Sequence, residues 1–266
     1  MRGQGCSLLR VMTWSVAMLA AGASVGRAQA LDDAPVAVVV ADSLYAALDV
    51  PGAMAVLSAR VAAAPDDFEA TWRAAGVALT LAILTEDRGA KLERLRAAAA
   101  YGERLLALRP EDPASLTWAA ASKGRLAMDV RNPVTAARLA QETWALTATL
   151  LAQDPSHPMG NAVRGKLVQE VRRLSWGERV LARVLVGGDL AGAAEWSDAE
   201  RYLERSVVED PGMVLYHLDL GDTYRLQGKK EQALEVYERG LGLRERLPVD
   251  AYYKRRIGDG IRALAR

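Results

Sequence analysis

Seven consecutive residues, Gly160-Asn161-Ala162-Val163-Arg164-Gly165-Lys166, fill the first seven places of a loop that cradles phosphates with backbone N–H groups and a lysine. The eighth place needs a Ser or Thr hydroxyl for magnesium, and Leu167 stands there. Such a loop also follows a strand, whereas Val163, Leu167, Val168 and Val171 continue a helical stripe. Nucleotide chemistry is therefore not predicted, and Gly160 and Gly165 read as points of close helix packing. Gly22-Ala23-Ser24-Val25-Gly26 has the pattern of a turn that exposes a nucleophilic serine, but it lies inside the N-terminal apolar segment.

His157 and His217 belong to different segments, and neither has a second histidine four residues away. The single cysteine, Cys6, is near the N-terminus. This inventory offers no zinc or iron site. Glu195, Asp198 and Glu200 read as a helix N-terminus that balances the dipole rather than as a catalytic pair. No nucleophile, base or cofactor loop is recognisable, so the sequence predicts a protein that is not an enzyme and uses no cofactor and no metal.

If the chain does no chemistry, its elements must serve binding. It has 266 residues, 51% hydrophobic and 25% charged, with a formal net charge of +1, a globular composition. A charge so near zero gives no reason to expect nucleic acid as partner. Residues 1–30 differ from the rest. Arg2 and Arg10 are followed by an apolar stretch from Val11 to Val25 and by the small-x-small run Ala28-Gln29-Ala30. That order predicts a secretory signal peptide cleaved near Ala30, and a periplasmic or extracellular protein with no stable membrane span; the alternative is an uncleaved membrane anchor, for which the apolar core is short. The remaining chain, 31–266, carries no cysteine and must be stable through its core alone.

Internal repeats organise that chain. Pro65, Pro110, Pro155 and Pro211 each follow a helix-ending stretch, 45, 45 and 56 residues apart. Proline cannot continue a helix, and a polar residue just after it caps the next one. Between these marks the apolar spacing is helical, as in Trp72, Ala75, Gly76, Leu79 and Ile83. No stretch alternates like a strand. The helices are expected in pairs: 36–48 with 51–64, 67–86 with 89–108, 113–129 with 133–153, 157–174 with 196–209, and 213–227 with 230–246. A last helix over 250–264 caps the array with a basic outer face.

The C-terminal pair is the clearest. His217, Leu220, Gly221 and Tyr224, then Gly228, then Ala233, Tyr237 and Gly240 stand at three- and four-residue steps. This resembles the tetratricopeptide (TPR) consensus, in which small residues let antiparallel helices approach and aromatic residues fill the layer between them. The reading is an all-α, TPR-like α-solenoid of about five antiparallel helix pairs plus a C-terminal capping helix. The 45-residue period lengthens each hairpin by roughly three turns over the usual 34 residues.

From Phe68 to the C-terminus the chain also resembles the regulator of microtubule dynamics family, TPR-like proteins of animals and bacteria. The likeness is carried by Trp72-Arg73-Ala74-Ala75, by Leu174-Ser175-Trp176 with Glu178, by Asp210-Pro211-Gly212 and by the final hairpin. The resemblance implies a helical repeat protein that is not an enzyme. In animals it implies association with microtubules and organelle contacts.

The predicted function is a scaffold that binds a protein or peptide on the concave face of the superhelix. The candidate groove residues lie on first helices: Trp72, Arg73, Trp118, Lys123, Asn161, Arg164 and Tyr216. Trp176 joins them at the head of an inserted segment, 177–192, in which Val180, Leu181, Val184 and Leu185 form an apolar stripe before Gly187-Gly188. That segment reads either as a helix packed across the repeats or as a lid over the groove. Two alternative functions stand beside the scaffold: a structural component of an envelope assembly or homo-oligomer, and a protein that binds an apolar small molecule or lipid.

Overall fold

The computed structural model describes residues 34–175, 177 and 195–265. The signal peptide expected over 1–30, Trp176 and nearly all of the expected 177–192 insertion lie outside the described residues. Eleven helices are found among the described residues: α1 Ala34–Ala46, α2 Val50–Ala63, α3 Phe68–Leu84, α4 Arg88–Leu108, α5 Pro113–Asp129 and α6 Pro133–Gln153, followed by α7 Pro158–Arg173, α8 Trp196–Glu209, α9 Val214–Leu226, α10 Lys230–Gly242 and α11 Asp250–Leu264. They form the expected five pairs and capping helix, and no strand occurs among the described residues.

One turn recurs at the four prolines. The second helix of a pair ends on Ala64, Arg109, Asp154 or Asp210, each of which bonds its N–H to the carbonyl four residues back. Proline comes next. Three residues beyond the cap, the N–H of Asp67, Asp112, His157 or Met213 donates back to the cap carbonyl at 3.1 to 3.3 Å. Proline suits the second place of such a turn because its φ is preset and it has no N–H to lose. The next helix is then capped from within the turn by Asp67, Asp112 or His157, whose side chains accept from Ala70, Ala114 and Gly160. Within pairs, Asp49, Asp87 and Asn132 do the same work. These caps each contribute about 1 kcal/mol.

The first helices stack in a row, α1 on α3, α3 on α5, α5 on α7, α7 on α9 and α9 on α11. Each second helix lies between its own partner and the first helix of the next pair. Small residues permit the approach. A Cβ on Gly102 would stand 2.8 Å from the Ala119 backbone, and one on Gly221 would stand 2.4 Å from the Tyr237 ring. The largest core cluster joins Leu203, Leu220, Tyr237, Tyr253 and Ile257 across α8 to α11. Ile83, on α3, packs against this same C-terminal cluster. The row of helices therefore curls until its early and late members meet. No helix of the described residues is long and apolar enough to cross a membrane.

Candidate functional site

Curling of the solenoid leaves a central channel of about 500 Å³ bounded by seven of the helices and the 247–249 segment. Its walls are built from strips spaced three and four residues apart on the first helices. Gly76, Leu79 and Ile83 come from α3, and Trp118, Ala121 and Met128 from α5. Ala162, Val163 and Leu167 come from α7, while Ala136, Ala137 and Ala140 of the second helix α6 close one side. Most of these side chains are too short to reach the centre, which is why space remains. Leu247, Val249 and Tyr253 also line it, as does Tyr45 of α1.

The lining is apolar, with a few polar groups set into it, as in many ligand sites. Lys166 of α7 pairs with Asp219 of α9 at 3.1 Å and with Glu170 at 3.3 Å. Burial pushes the Asp219 carboxyl above the usual range, and Lys166 offsets this only in part. Burial also weighs against the Lys166 ammonium, but Asp219 and Glu170 outweigh it and hold the lysine above its ordinary value. Arg125 lies 3.8 Å from Asp129, which Lys91 holds at 2.9 Å. Tyr45 shares a 2.9 Å hydrogen bond with Thr80, and burial raises its pKa. Among the described residues no cluster of His, Cys, Asp or Glu is placed to hold a metal ion.

Trp118 lines this channel, its ring edge 2.9 Å from where a Cβ on Gly76 would stand. It stacks on Trp72 at 6.4 Å between centroids and 13° between planes. Trp72 itself packs with Phe68 and Leu105 and donates from Nε1 to Glu69 at 3.0 Å, outside the channel wall. Arg73 lies over the Trp72 ring and ties α3 to α1 through Asp42 at 2.9 Å.

The other candidates point elsewhere. Lys123 is buried between Glu103 of α4 and Glu142 of α6. Asn161 is buried and donates to the carbonyls of Pro155 and His157 at 3.0 Å, bracing the proline turn. Arg164 donates to the Trp144 carbonyl at 2.9 Å and lies 3.4 Å over that ring, on the outer side of α7. Tyr216 is buried, with its hydroxyl 3.9 Å from the Met159 sulfur. Trp176 is outside the described residues.

Of the candidates read from the sequence, Trp118 alone among the described residues lines the channel, although the helices that carry the others also contribute to its wall. One residue turns a helix by about 100°, so Asn161 and Arg164 face away from the neighbouring Ala162 and Val163. The missed groups are Tyr45, Arg125, Lys166 and Asp219. Lys166 was visible only as the end of the incomplete phosphate-loop pattern, which in fact runs through the helix α7. There Gly165 makes room for Leu203 of α8 rather than for a phosphate.

Solved structures of other repeat proteins are similar to the whole array. The TPR protein TTC0263 of Thermus thermophilus superposes with a TM-score of 0.60 at 16% identity, covering 86% of this chain and 99% of that one. The TPR protein YrrB, described as having an unusual peptide-binding site, gives 0.43 at 13% identity, covering 84% and 92%. A TPR protein of Parabacteroides merdae gives 0.40 at 15%, covering 89% and 93%. No curated protein matches the chain in sequence. The family model for regulator of microtubule dynamics protein 1-3 matches residues 39–264. With a TPR-like solenoid over the same span, the chain belongs to the regulator of microtubule dynamics protein 1-3 family.

Proposed function

We propose that this protein is a non-enzymatic scaffold, exported and cleaved near Ala30, that holds a partner protein by an apolar segment lodged in the central channel. The observation that carries the reading is the channel itself: an apolar wall of short side chains around about 500 Å³, on the concave side of a TPR-like solenoid. Empty apolar space of this size forgoes dispersion contacts that an occupant would supply. Stacked-repeat proteins use such concave surfaces for binding. An amphipathic segment would seat its apolar face along the strips of α3, α5 and α7.

The test places a photo-crosslinking amino acid at Ala137, in the channel, and at Glu238, exposed on α10. Irradiation in the native compartment should give a discrete protein adduct from position 137 and none from position 238. Equal adducts at both positions, or none at 137, would sink the reading.

A second reading is a bound apolar small molecule or lipid. It is favoured by the polar groups set into the apolar lining, Tyr45, Arg125 and the Lys166–Asp219 pair, which would hold the polar end of such a molecule. Mass spectrometry of the natively purified protein, before and after organic extraction, separates the two: a retained hydrocarbon ligand supports the second reading and argues against the first.

A further inference from the structure

On the side of α7 opposite the channel, a cleft of about 610 Å³ lies between α6, α7 and α8. Three arginines line it, Arg164, Arg201 and Arg205, and no acidic residue does. Ala148, Leu151 and Ala152 form an apolar floor beside them. Arg201 and Arg205 stand one turn apart on α8, with side chains 63% and 52% exposed. Their partners, Asp198 and Glu209, are neighbours on the same helix at 2.8 Å. Solvent-exposed pairs of this kind contribute little and exchange readily.

Arg164 is different. It is only 9% exposed, and its contacts are all to neutral groups: the Trp144 carbonyl at 2.9 Å, the Thr147 hydroxyl at 3.2 Å, the Trp144 ring at 3.4 Å and the Tyr202 ring at 5.7 Å. No carboxylate among the described residues pairs with it within 4 Å. Its Nε is buried and has no hydrogen-bond partner among the described residues. Three carboxylates adjoin the lining residues in sequence: Asp154 is engaged by the N–H and hydroxyl of Ser156 and also feels the Arg205 charge, Glu200 is held by Gln227 and Lys229, and Glu204 accepts from the Tyr224 hydroxyl. A buried guanidinium is ordinarily matched by a counter-charge, because burying an unpaired charge is costly.

We propose that the missing counter-charge is a phosphate group bound in this cleft, with Arg164 as its buried anchor and Arg201 and Arg205 closing on it from α8. Phosphate suits the site better than a carboxylate. It carries nearly two charges near neutral pH and has three acceptor oxygens to offer three guanidinium forks. The stacking of Arg164 on Trp144 fixes the plane of its fork, so little freedom is lost on binding. The apolar floor has room for the carbon skeleton of a phosphate monoester. The site uses the Arg164 side chain and not a phosphate-cradling backbone: residues 160–166 lie within α7, and the Gly160 N–H is taken by the His157 cap.

Calorimetric titration of the mature protein with sodium phosphate and, separately, with glycerol 3-phosphate, at ionic strength held constant with sodium chloride, tests the proposal. Saturable binding is expected for the wild type, weakened at least about tenfold in the Arg201→Gln/Arg205→Gln double variant, whose exposed positions should leave the circular dichroism and melting temperature unchanged. Arg164→Lys keeps the charge but loses the fork, and should weaken binding to a similar degree. Tighter binding of glycerol 3-phosphate identifies a monoester as the ligand, and equal binding identifies free phosphate. No saturable heat with either compound up to about 20 mM, or unchanged affinity in the double variant, overturns the proposal.

Discussion

Lys166 on α7 and Asp219 on α9 meet at 3.1 Å in the channel wall, so a charge pair joins two neighbouring repeats where the lining is otherwise apolar. Removing one partner leaves the other charge buried. Lys166→Met should therefore cost about 3 kcal/mol, near the low end for a broken buried pair because solvent still reaches the lysine end. The double variant Lys166→Met/Asp219→Leu should recover most of that loss. Urea denaturation of the two variants checks this. Because burial holds the Asp219 carboxyl above the usual range, the single variant's deficit should shrink as pH falls through that raised value and the carboxyl becomes neutral. A single variant as stable as the wild type at neutral pH would contradict the pairing.

Gly221 lies under the Tyr237 ring, with 2.4 Å where a Cβ would have to fit. The ring cannot move far, since its hydroxyl donates to Asp222 at 2.6 Å and accepts from Arg225 at 3.2 Å, while Gly260 covers it from α11. Gly221→Ala should destabilise the protein by about 1–3 kcal/mol through overpacking, measured as a lowered melting temperature. Gly242, which has nothing within 4 Å of the same point, is the control, and alanine there should cost far less.

His157 caps α7 with Nδ1, which accepts the Gly160 N–H at 3.0 Å and can do so only when unprotonated. Burial lowers its pKa, and Asp154 raises it in part. In the unfolded chain the ring takes up its proton near the ordinary histidine value of 6.5; folded, it does so only at lower pH. Between those values the unfolded state binds the extra proton, so stability is complete above the ordinary value and falls as pH drops through it. The loss should be about 1 kcal/mol, the worth of a cap. In His157→Asn, where the cap cannot titrate, this component should vanish. Denaturation midpoints of both proteins at about pH 7.5 and pH 5 decide it.

Filling the channel should separate binding from folding. Ala137 is half-buried and faces the open space, so Ala137→Trp should leave stability unchanged or raise it by about 1 kcal/mol, as cavity-filling substitutions do. The same substitution, combined with a crosslinker at Met128, should abolish partner adducts. A loss of more than about 2 kcal/mol would mean that the space is not available to an occupant.

The parts of this architecture that depend on short stretches of chain were legible in advance. Proline at positions 65, 110, 155 and 211 marks four equal turns, because a ring that presets φ and removes an N–H acts within its own few residues. Gly221, Ala233 and Tyr237 announced the C-terminal pair for the same reason. The channel was not legible, because the inward strip of each first helix is decided by helices packed on its other sides. Trp118 happens to stand on that strip. Lys123, five residues further on, has turned about 140° away and lies between two glutamates from second helices. The pair of Lys166 and Asp219 has no local signature at all, since its members come from different repeats.

Ile83, early in the chain, rests on the cluster that holds Val249, Tyr253 and Ile257. An open array of repeats can shed a terminal unit and keep the remainder, because each unit answers only to its neighbours. Here Ile83 of α3 joins the packing around the C-terminal cluster, so removing α11 would open a core that both ends of the described chain share. The molecule should melt as one cooperative body rather than fray from an end. Its folding must also wait for segments far apart in sequence to find each other, which sets a slower pace than local helix pairing alone would allow.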